Sequence, residues 1–529
     1  MEYTSFIYVI FLAICGILYY VLPKKMQWIV LLIASLAFYV SIAQILVLYM
    51  LATTLIVYLS AMAIQRHKDD FKSKKAHLTR QAERKALKEK TKAKQKRILT
   101  ATVVVTIGVL AALKYCNFFG SIVNGIVSIF SATALVPVFK IALPLGISYY
   151  TLMSVSYIVD VYRGTIKAEK NYFRLLLFVS YFPHIMEGPF DRYDKLDAQF
   201  REPHSLDYDV IKNGALLIMY GLFKKLVIAD RAGLIVSGIF DSQSAGGTSI
   251  FVGMLVYTLQ LYADFSGCID IVSGTSQMFG INVAENFRQP FFSHSINEFW
   301  RRWHITLGLW LKEYVFYPVS LSKNFKNFDK FVKKHVKNDY LTKMIPAAYA
   351  LFFVWFCNGI WHGASGKYIF YGLYYYLLMM LGEFAKPLCD SFCQKAKINR
   401  ESKAFGLFQI ARTFIIVNIG MLIFRSATLA DCGAYIAKMF TSFDFGALFN
   451  GTIAIKNVSN YDYLVLILGV AVLFVIGLLK EKGHSIRAEL FAKPLVLRWS
   501  IYLVLIFSTI ILGIYGGNFE NAGMIYAEF

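Results

Sequence analysis

Long apolar stretches recur along this chain, at residues 4–22, 26–42, 45–64, 98–113, 348–360, 408–424, 463–479 and 501–514. Crossing a hydrocarbon core of about 30 Å takes roughly 20 apolar residues. Backbone immersed in lipid must satisfy its own hydrogen bonds, so such stretches are helices or strands of a closed barrel. These are too long and too uniformly apolar for barrel strands. The pattern predicts an all-α, polytopic integral membrane protein with roughly 11–15 embedded helices, some too short to cross completely. The first stretch lacks a basic preceding region and a small-residue cleavage site, so it reads as a retained first helix.

Residues 140–370 break this pattern with glycine, proline and polar aromatics. They include Leu143-Pro-Leu-Gly-Ile-Ser-Tyr-Tyr-Thr151, Tyr181-Phe-Pro-His-Ile-Met-Glu-Gly-Pro189, Gly221-Leu-Phe-Lys-Lys-Leu-Val-Ile-Ala-Asp-Arg231 and Tyr262-Ala-Asp-Phe-Ser-Gly267. Glycine and proline interrupt helices. Broken helices at membrane depth persist only where they are buried in protein or line a cavity. This middle block is therefore expected to form a polar tunnel or funnel and to carry the function. No Pro/Ser-rich linker and no internal repeat divides the chain, which reads as a single embedded domain over residues 1–529.

The composition, 57% hydrophobic and only 17% charged, excludes an ordinary soluble protein, and the net charge of +22 is unevenly placed. Residues 66–97 carry 14 Lys and Arg against four Asp and Glu. This basic loop, rich in Ala, Lys, Glu and Gln, is expected to continue as a charged helix beyond the bilayer. The positive-inside tendency places it in the cytoplasm, which leaves the N-terminus outside after three crossings. Residues 323–343 form a second basic stretch, expected on the same side. Such charge reads as a topology signal and an attraction to anionic membrane lipids, not to nucleic acid. The seven cysteines include Cys389 and Cys393, but no nearby Cys or His pair completes a zinc pattern, so no metal site is expected.

The candidate chemistry lies in histidines. Of the nine, His67, His77 and His335 sit in Lys-rich runs, and His204 and His484 in short polar connections. His184, His294, His304 and His362 have apolar surroundings, where an ionisable group is costly and tends to be functional. Ser295-Ile-Asn-Glu298 has capping-box spacing, so a helix is expected from about Ile296 to Pro318, with His304 two turns in. Trp300, His304, Gly308 and Leu311 would share one face, with Arg301 and Arg302 on others, reaching headgroups or phosphates. His362 closes an apolar run, flanked by Gly359 and Gly363, with Asn358 one turn before it. Small residues there admit another backbone or a substrate. A neutral imidazole beside a narrow opening suits a general base acting on a hydroxyl. The plainer reading of both histidines is structural, each bonded to a nearby backbone carbonyl or packed at an interface. Asp264 and Asp270 read as proton relays or, in preference, as buried caps and hydrogen-bonding groups, and Glu187 as a turn former. No Gly-x-Ser-x-Gly, His-Glu-x-x-His or P-loop sequence occurs, so those chemistries have no support.

Leu143-Pro-Leu-Gly-Ile-Ser148, Asp160-Val-Tyr-Arg163, Gly221-Leu-Phe-Lys-Lys225, Asp264-Phe-Ser-Gly267, Glu285-Asn-Phe287, Phe299-Trp-Arg-Arg-Trp-His304, Trp361-His-Gly-Ala364 and Phe424-Arg-Ser-Ala427 follow one another in this order. Over roughly residues 1–515, this series resembles the membrane-bound O-acyltransferases, in particular the bacterial polysaccharide-acetylating branch of alginate O-acetylation proteins. The resemblance implies a ring of helices around a central tunnel, in a bacterial plasma membrane. It implies that His362 is the catalytic histidine and His304 the second family histidine, supporting catalysis or structure. Asn358, Trp300, Trp361, Arg302, Tyr149 and Ser148 are the candidate tunnel-lining or supporting residues.

The implied donor is a cytoplasmic thioester, acetyl-CoA or an acyl carrier protein, drawn in by the basic rim. Thiolate leaves readily, so neither a metal nor a tightly bound cofactor is expected. The implied acceptor is a hydroxyl of a cell-surface polysaccharide, or of an extracytoplasmic, membrane-anchored acyltransferase-type partner that passes the group on. The alternative within the family is D-alanyl transfer to teichoic acid from a carrier protein, which the additional C-terminal helices fit less well. A transporter or flippase of an envelope precursor would also use broken helices, although no repeated halves are seen. A scaffold for a polysaccharide machine would need neither histidine. Three features depart from the family pattern. His184 stands where a glutamine-like residue is expected, Tyr371-Gly-Leu-Tyr-Tyr-Tyr376 lacks an expected Trp and His, and the basic segment is long.

Overall fold

The computed structural model describes residues 1–130, 135–242, 245–450, 453, 455 and 458–515. Among the described residues the chain is helical throughout, apart from turns and one isolated antiparallel pairing of Phe287 with Trp303. Seven stretches among the described residues are long and apolar enough to cross a membrane, and one of them, Lys24–Ala76, itself contains two long helices. The all-α polytopic architecture expected from the hydrophobic pattern is thus the one observed. The described chain divides into two compact units, Met1–Gly214 with Val272–Ala284, and Ala215–Ile271 with Glu285–Phe529.

The first unit holds α1 (Phe6–Val21), α2 (Gln27–Ala43), α3 (Val47–Ala76), α4 (Gln81–Val127), α5 (Ile147–Arg163), α6 (Tyr172–Ser180), α7 (Tyr193–Arg201) and the start of α8 (Tyr208–Leu222). The basic segment is helical as its composition predicts, but a turn at residues 77–80 splits it between α3 and α4. Within the membrane stretch Thr102 donates to Ser60 at 2.8 Å, a polar link between apolar helices of the kind that lipid favours. α5 is buried over almost its whole length. It starts where it does because Gly146 adopts φ 73°, and a Cβ there would stand 2.4 Å from the Ile185 carbonyl oxygen. Only glycine meets both demands, which accounts for the Leu-Pro-Leu-Gly motif.

The second unit holds the rest: α9 (Asp230–Phe240), α10 (Gly247–Met278), α11 (Ile296–Arg302), α12 (Ile305–Leu311), α13 (Tyr317–Ser320), α14 (Lys323–His335), α15 (Asp339–His362), α16 (Gly366–Lys395), α17 (Lys403–Arg425), α18 (Leu429–Thr441), α19 (Asn460–Glu481), α20 (Ile486–Phe491) and α21 (Leu495–Leu512). α8 and α10 each run from one unit into the other. Between α8 and α9 the Gly-Leu-Phe-Lys-Lys motif widens into a π-helix, Phe223–Ala229. Such bulges turn side chains out of the ordinary helical register. Here Lys224 pairs with Asp270 at 2.7 Å, and Lys225 with Asp264 at 2.7 Å and Asp230 at 2.8 Å. Asp264 and Asp270, open between relay and structural roles in the sequence, are partners of these buried cations. Losing one member of such a group strands its neighbours' charge.

Candidate active site

The expected helix does begin at Ile296. The Ser295 side chain accepts from the Glu298 N–H at 3.2 Å, while the Glu298 carboxylate accepts from the His294 N–H at 2.9 Å. It does not run on to Pro318. α11 ends at Arg302, Trp303 turns extended, and His304 takes a left-handed conformation at φ 47° and ψ 51° before α12 begins. The cause is a partner segment that helical periodicity cannot register. Arg288 N–H donates to the Arg302 carbonyl at 2.9 Å, and Ile305 N–H to the Asn286 carbonyl at 3.0 Å. The side chain of Asn286 then caps α12 through space, its Oδ1 accepting from Thr306 N–H at 3.1 Å and Thr306 Oγ1 at 2.9 Å.

The same oxygen fixes the tautomer of His304. The atom facing the Thr306 N–H must be an acceptor, so it is the amide oxygen. His304 Nδ1, 3.2 Å from it, therefore donates, and Nε2 is the acceptor of the neutral ring. The ring is buried, with Phe265 edge-on at 4.8 Å and Trp361 at 5.6 Å. His304 lies outside the seven candidate spans, and desolvation pushes its imidazole down to about 3.

His362 is the last residue of α15. α15 and α16 meet glycine to glycine. A Cβ on Gly359 would stand 2.5 Å from the Tyr368 carbonyl oxygen, and one on Gly372 2.3 Å from that of Trp355. The small residues around His362 thus admit another backbone. That close approach brings Tyr371 of α16 edge-on to the His362 ring at 5.5 Å, while Phe424 of α17 meets it at 5.3 Å and Trp361 at 4.8 Å. Trp361 consequently touches both histidine rings.

One cavity of about 640 Å³ is lined by His304, His362, Asn358, Trp300 and Arg301, and by Lys312, Met344 and Glu383 farther along. Trp300, His304, Gly308 and Leu311 all border it although they do not share one helix face. From Met344 to His362 its α15 wall runs about 27 Å at 1.5 Å per residue. Trp300 Nε1 and Asn358 Oδ1 are buried and make no hydrogen bond to the described chain. Arg302 is placed elsewhere than expected. Its guanidinium donates to Glu298 and Glu481, each at 2.6 Å, and Arg301 borders the cavity in its stead. Ser148 and Tyr149 belong to the first unit. Ser148 accepts from Lys114 at 3.3 Å, and Tyr149 donates to the Pro189 carbonyl at 2.6 Å, with its ring against His184 and Phe190. Asn286, Phe265, Tyr371 and Phe424 escaped the sequence reading of the site. All four lie in stretches that it noted, but nothing local ties them to the histidines. Among the described residues no group of three or more His, Cys, Asp or Glu side chains is arranged to hold a metal ion.

Comparison with known proteins places the chain among membrane acyltransferases. The model of a family described as MBOAT, membrane-bound O-acyltransferase family, matches residues 29–426. The chain is similar to a probable alginate O-acetylase AlgI of Pseudomonas syringae pv. tomato, 32% identical over 409 residues that cover 76% of this chain and 72% of the relative. It is also similar to a peptidoglycan O-acetyltransferase of Helicobacter pylori, 30% identical over 298 residues, 51% of this chain and 52% of the relative. A teichoic acid D-alanyltransferase of Bacillus subtilis is 31% identical over 289 residues, 53% of this chain and 68% of the relative.

Proposed function

We propose that this chain, which belongs to the membrane-bound O-acyltransferase family, passes a short acyl group from a cytoplasmic thioester to a hydroxyl on the outer side of a bacterial plasma membrane, with His362 as the base. Acyl transfer as such follows from membership, and the assignment of groups is our reading. Its main support is that His362, His304 and Asn358 border one cavity that follows α15 from Met344. α15 is preceded by the Lys-rich helix α14, and Arg301 and Lys312 border the cavity itself. Cations in that position suit a phosphate-bearing donor, acetyl-CoA or an acyl carrier protein. Acetyl is the group named in two of the three relatives described. The acceptor in our reading is a hydroxyl of a cell-envelope polysaccharide or peptidoglycan, or of a membrane-anchored extracytoplasmic partner that transfers the group onward.

In this mechanism the acceptor hydroxyl gives its proton to a His362 ring nitrogen while its oxygen bonds to the thioester carbonyl carbon. The carbon–sulfur bond then breaks, and the departing thiolate takes the proton back from the imidazolium. Trp300 Nε1–H offers a donor to the developing oxyanion, an interaction of a kind that contributes about 3–4 kcal/mol. Asn358 Oδ1 orients the acceptor hydroxyl. His304 positions rather than reacts, because it holds Trp361 against the base.

The test is acyl transfer by protein reconstituted in vesicles with labelled acetyl-CoA. His362→Ala is expected to lose about 10²-fold or more in turnover with an unchanged melting temperature, and near-normal transfer would overturn the assignment. Mass spectrometry of surface glycans with and without the protein then separates acetyl from D-alanyl esters.

A further inference from the structure

A second cavity of the same unit, about 770 Å³, is bordered by His484 but by neither His304 nor His362. Its walls are apolar, with Val465, Leu468, Val472 and Ile476 from α19 and Val504 and Leu505 from α21. One end differs. Lys480, Arg487 and Arg288 border it, and Glu285 is the one carboxylate in the lining. Glu285 is paired with Arg288, and Asp270, whose charge also acts on Arg487, is paired with Lys224, so the rim keeps an excess of positive charge at Lys480 and Arg487. Lys480 lies 5.9 Å over the ring of Tyr220, another residue of the lining.

The slot has a direction. Arg231 donates to Asp462 at 3.1 Å and to the Leu512 carbonyl at 3.0 Å, which fixes the start of α19 beside the end of α21. The basic rim is therefore at the opposite end, about 22 Å along α19 from Val465 at 1.5 Å per residue. One leaflet of hydrocarbon is about 15 Å deep, half of the core. α19 and α21 are also the least covered of the seven spans, with 11% and 6% of their apolar windows buried. The slot is thus framed by the helices most open to lipid.

We propose that this cavity binds one anionic phospholipid, with its phosphate at Lys480 and Arg487 and an acyl chain along the apolar wall. A free phosphate would leave the wall unused, and a zwitterionic lipid would gain less from the rim. Glu481, next to Lys480, is the residue that pairs with Arg302 at the end of α11, so a bound headgroup adjoins the segment that carries His304.

The experiment uses the full chain in detergent, with thermal unfolding and native mass spectrometry after addition of phosphatidylglycerol, phosphatidylcholine or glycerol phosphate. Phosphatidylglycerol alone is expected to raise the melting temperature and to remain bound at one per chain. Lys480→Gln should weaken its retention about fivefold, the ratio equivalent to roughly 1 kcal/mol for one basic group at an anionic surface. Ser508 of α21 also borders the slot and donates to the Leu505 carbonyl of its own helix turn, so Ser508→Trp should abolish retention by filling the slot. Where Ser508→Trp does not fold, Lys480→Gln carries the test. Equal stabilisation by phosphatidylcholine, stabilisation by glycerol phosphate alone, or retention untouched by Lys480→Gln would each overturn the proposal.

Discussion

Replacing Asn286 with alanine tests whether His304 is held by design of the fold. Asn286 is 1% exposed, and its Oδ1 accepts from Thr306 N–H, Thr306 Oγ1 and His304 Nδ1 at 3.1, 2.9 and 3.2 Å. Each buried hydrogen bond is worth about 1 kcal/mol net, and a stranded buried donor costs 1–3 kcal/mol. The Thr306 hydroxyl can turn to another acceptor, but the Thr306 N–H and the His304 Nδ1–H are fixed by the backbone and the ring. The expected loss is therefore about 3 kcal/mol, or a fall in melting temperature of about 3 °C for a chain of this length. Asn286→Asp keeps an acceptor at the same place and should lose less. Transfer by Asn286→Ala should fall as well, with kcat changing more than donor KM, because the ring that steadies Trp361 is freed. A melting temperature within about 1 °C of wild type would mean that these bonds carry little energy and that Asn286 does not hold His304.

Three further outcomes follow. At φ 47° a left-handed residue other than glycine or asparagine costs about 1–2 kcal/mol, so His304→Asn should be about 1 kcal/mol more stable than His304→Ala in paired thermal melts; equal stability would contradict the strain. Burial holds the His304 imidazole at about 3, whereas in the unfolded chain it binds a proton below about 6.5. Stability contributed by this group is thus complete above about pH 6.5 and is lost as pH falls toward 3; Asn286→Asp, with a carboxylate beside Nδ1, should flatten that acid decline in pH-dependent melts, and an unchanged slope would refute it. Lys225→Met leaves Asp264 and Asp230 facing an uncharged side chain, and should cost about 3–5 kcal/mol, read as lost monodisperse yield in detergent; wild-type yield and melting temperature would show that these ion pairs are dispensable.

The long spans were legible because lipid leaves the backbone one choice. The stretches at 26–42, 408–424 and 463–479 lie within α2 with its flanking turn, α17 and α19. The site was legible only in part. His362 at the end of an apolar run needs no information beyond that run and the glycines on either side, Gly359 and Gly363. His304 does need more, because the break before α12 is made by residues 286–288, which are distant in sequence. A window centred on Phe299-Trp-Arg-Arg-Trp sees good helix formers and no reason to stop. Arg302 failed for a related reason, since its second carboxylate, Glu481, lies on α19. Asp264 and Asp270 stayed ambiguous until the π-helix turned Lys224 and Lys225 toward them.

The two histidines are held by opposite devices, and this bears on their roles. A general base works best when its pKa lies near the working pH. His304 has its Nδ1 committed to Asn286, a left-handed backbone, and burial that keeps the ring neutral far below physiological pH. Each of these opposes taking up and releasing a proton in every turnover. All three favour a fixed, neutral ring against which Trp361 can rest. His362 is instead set by a helix end, where the chain departs at Gly363, and by aromatic edges from α16 and α17. Edges hold the plane of the His362 ring at the cavity that Asn358 and Trp300 also border. The same reasoning explains why α15 and α16 touch through Gly359 and Gly372. Any side chain at that crossing would push Tyr371 away from His362 and loosen a contact that holds the plane of that ring from α16.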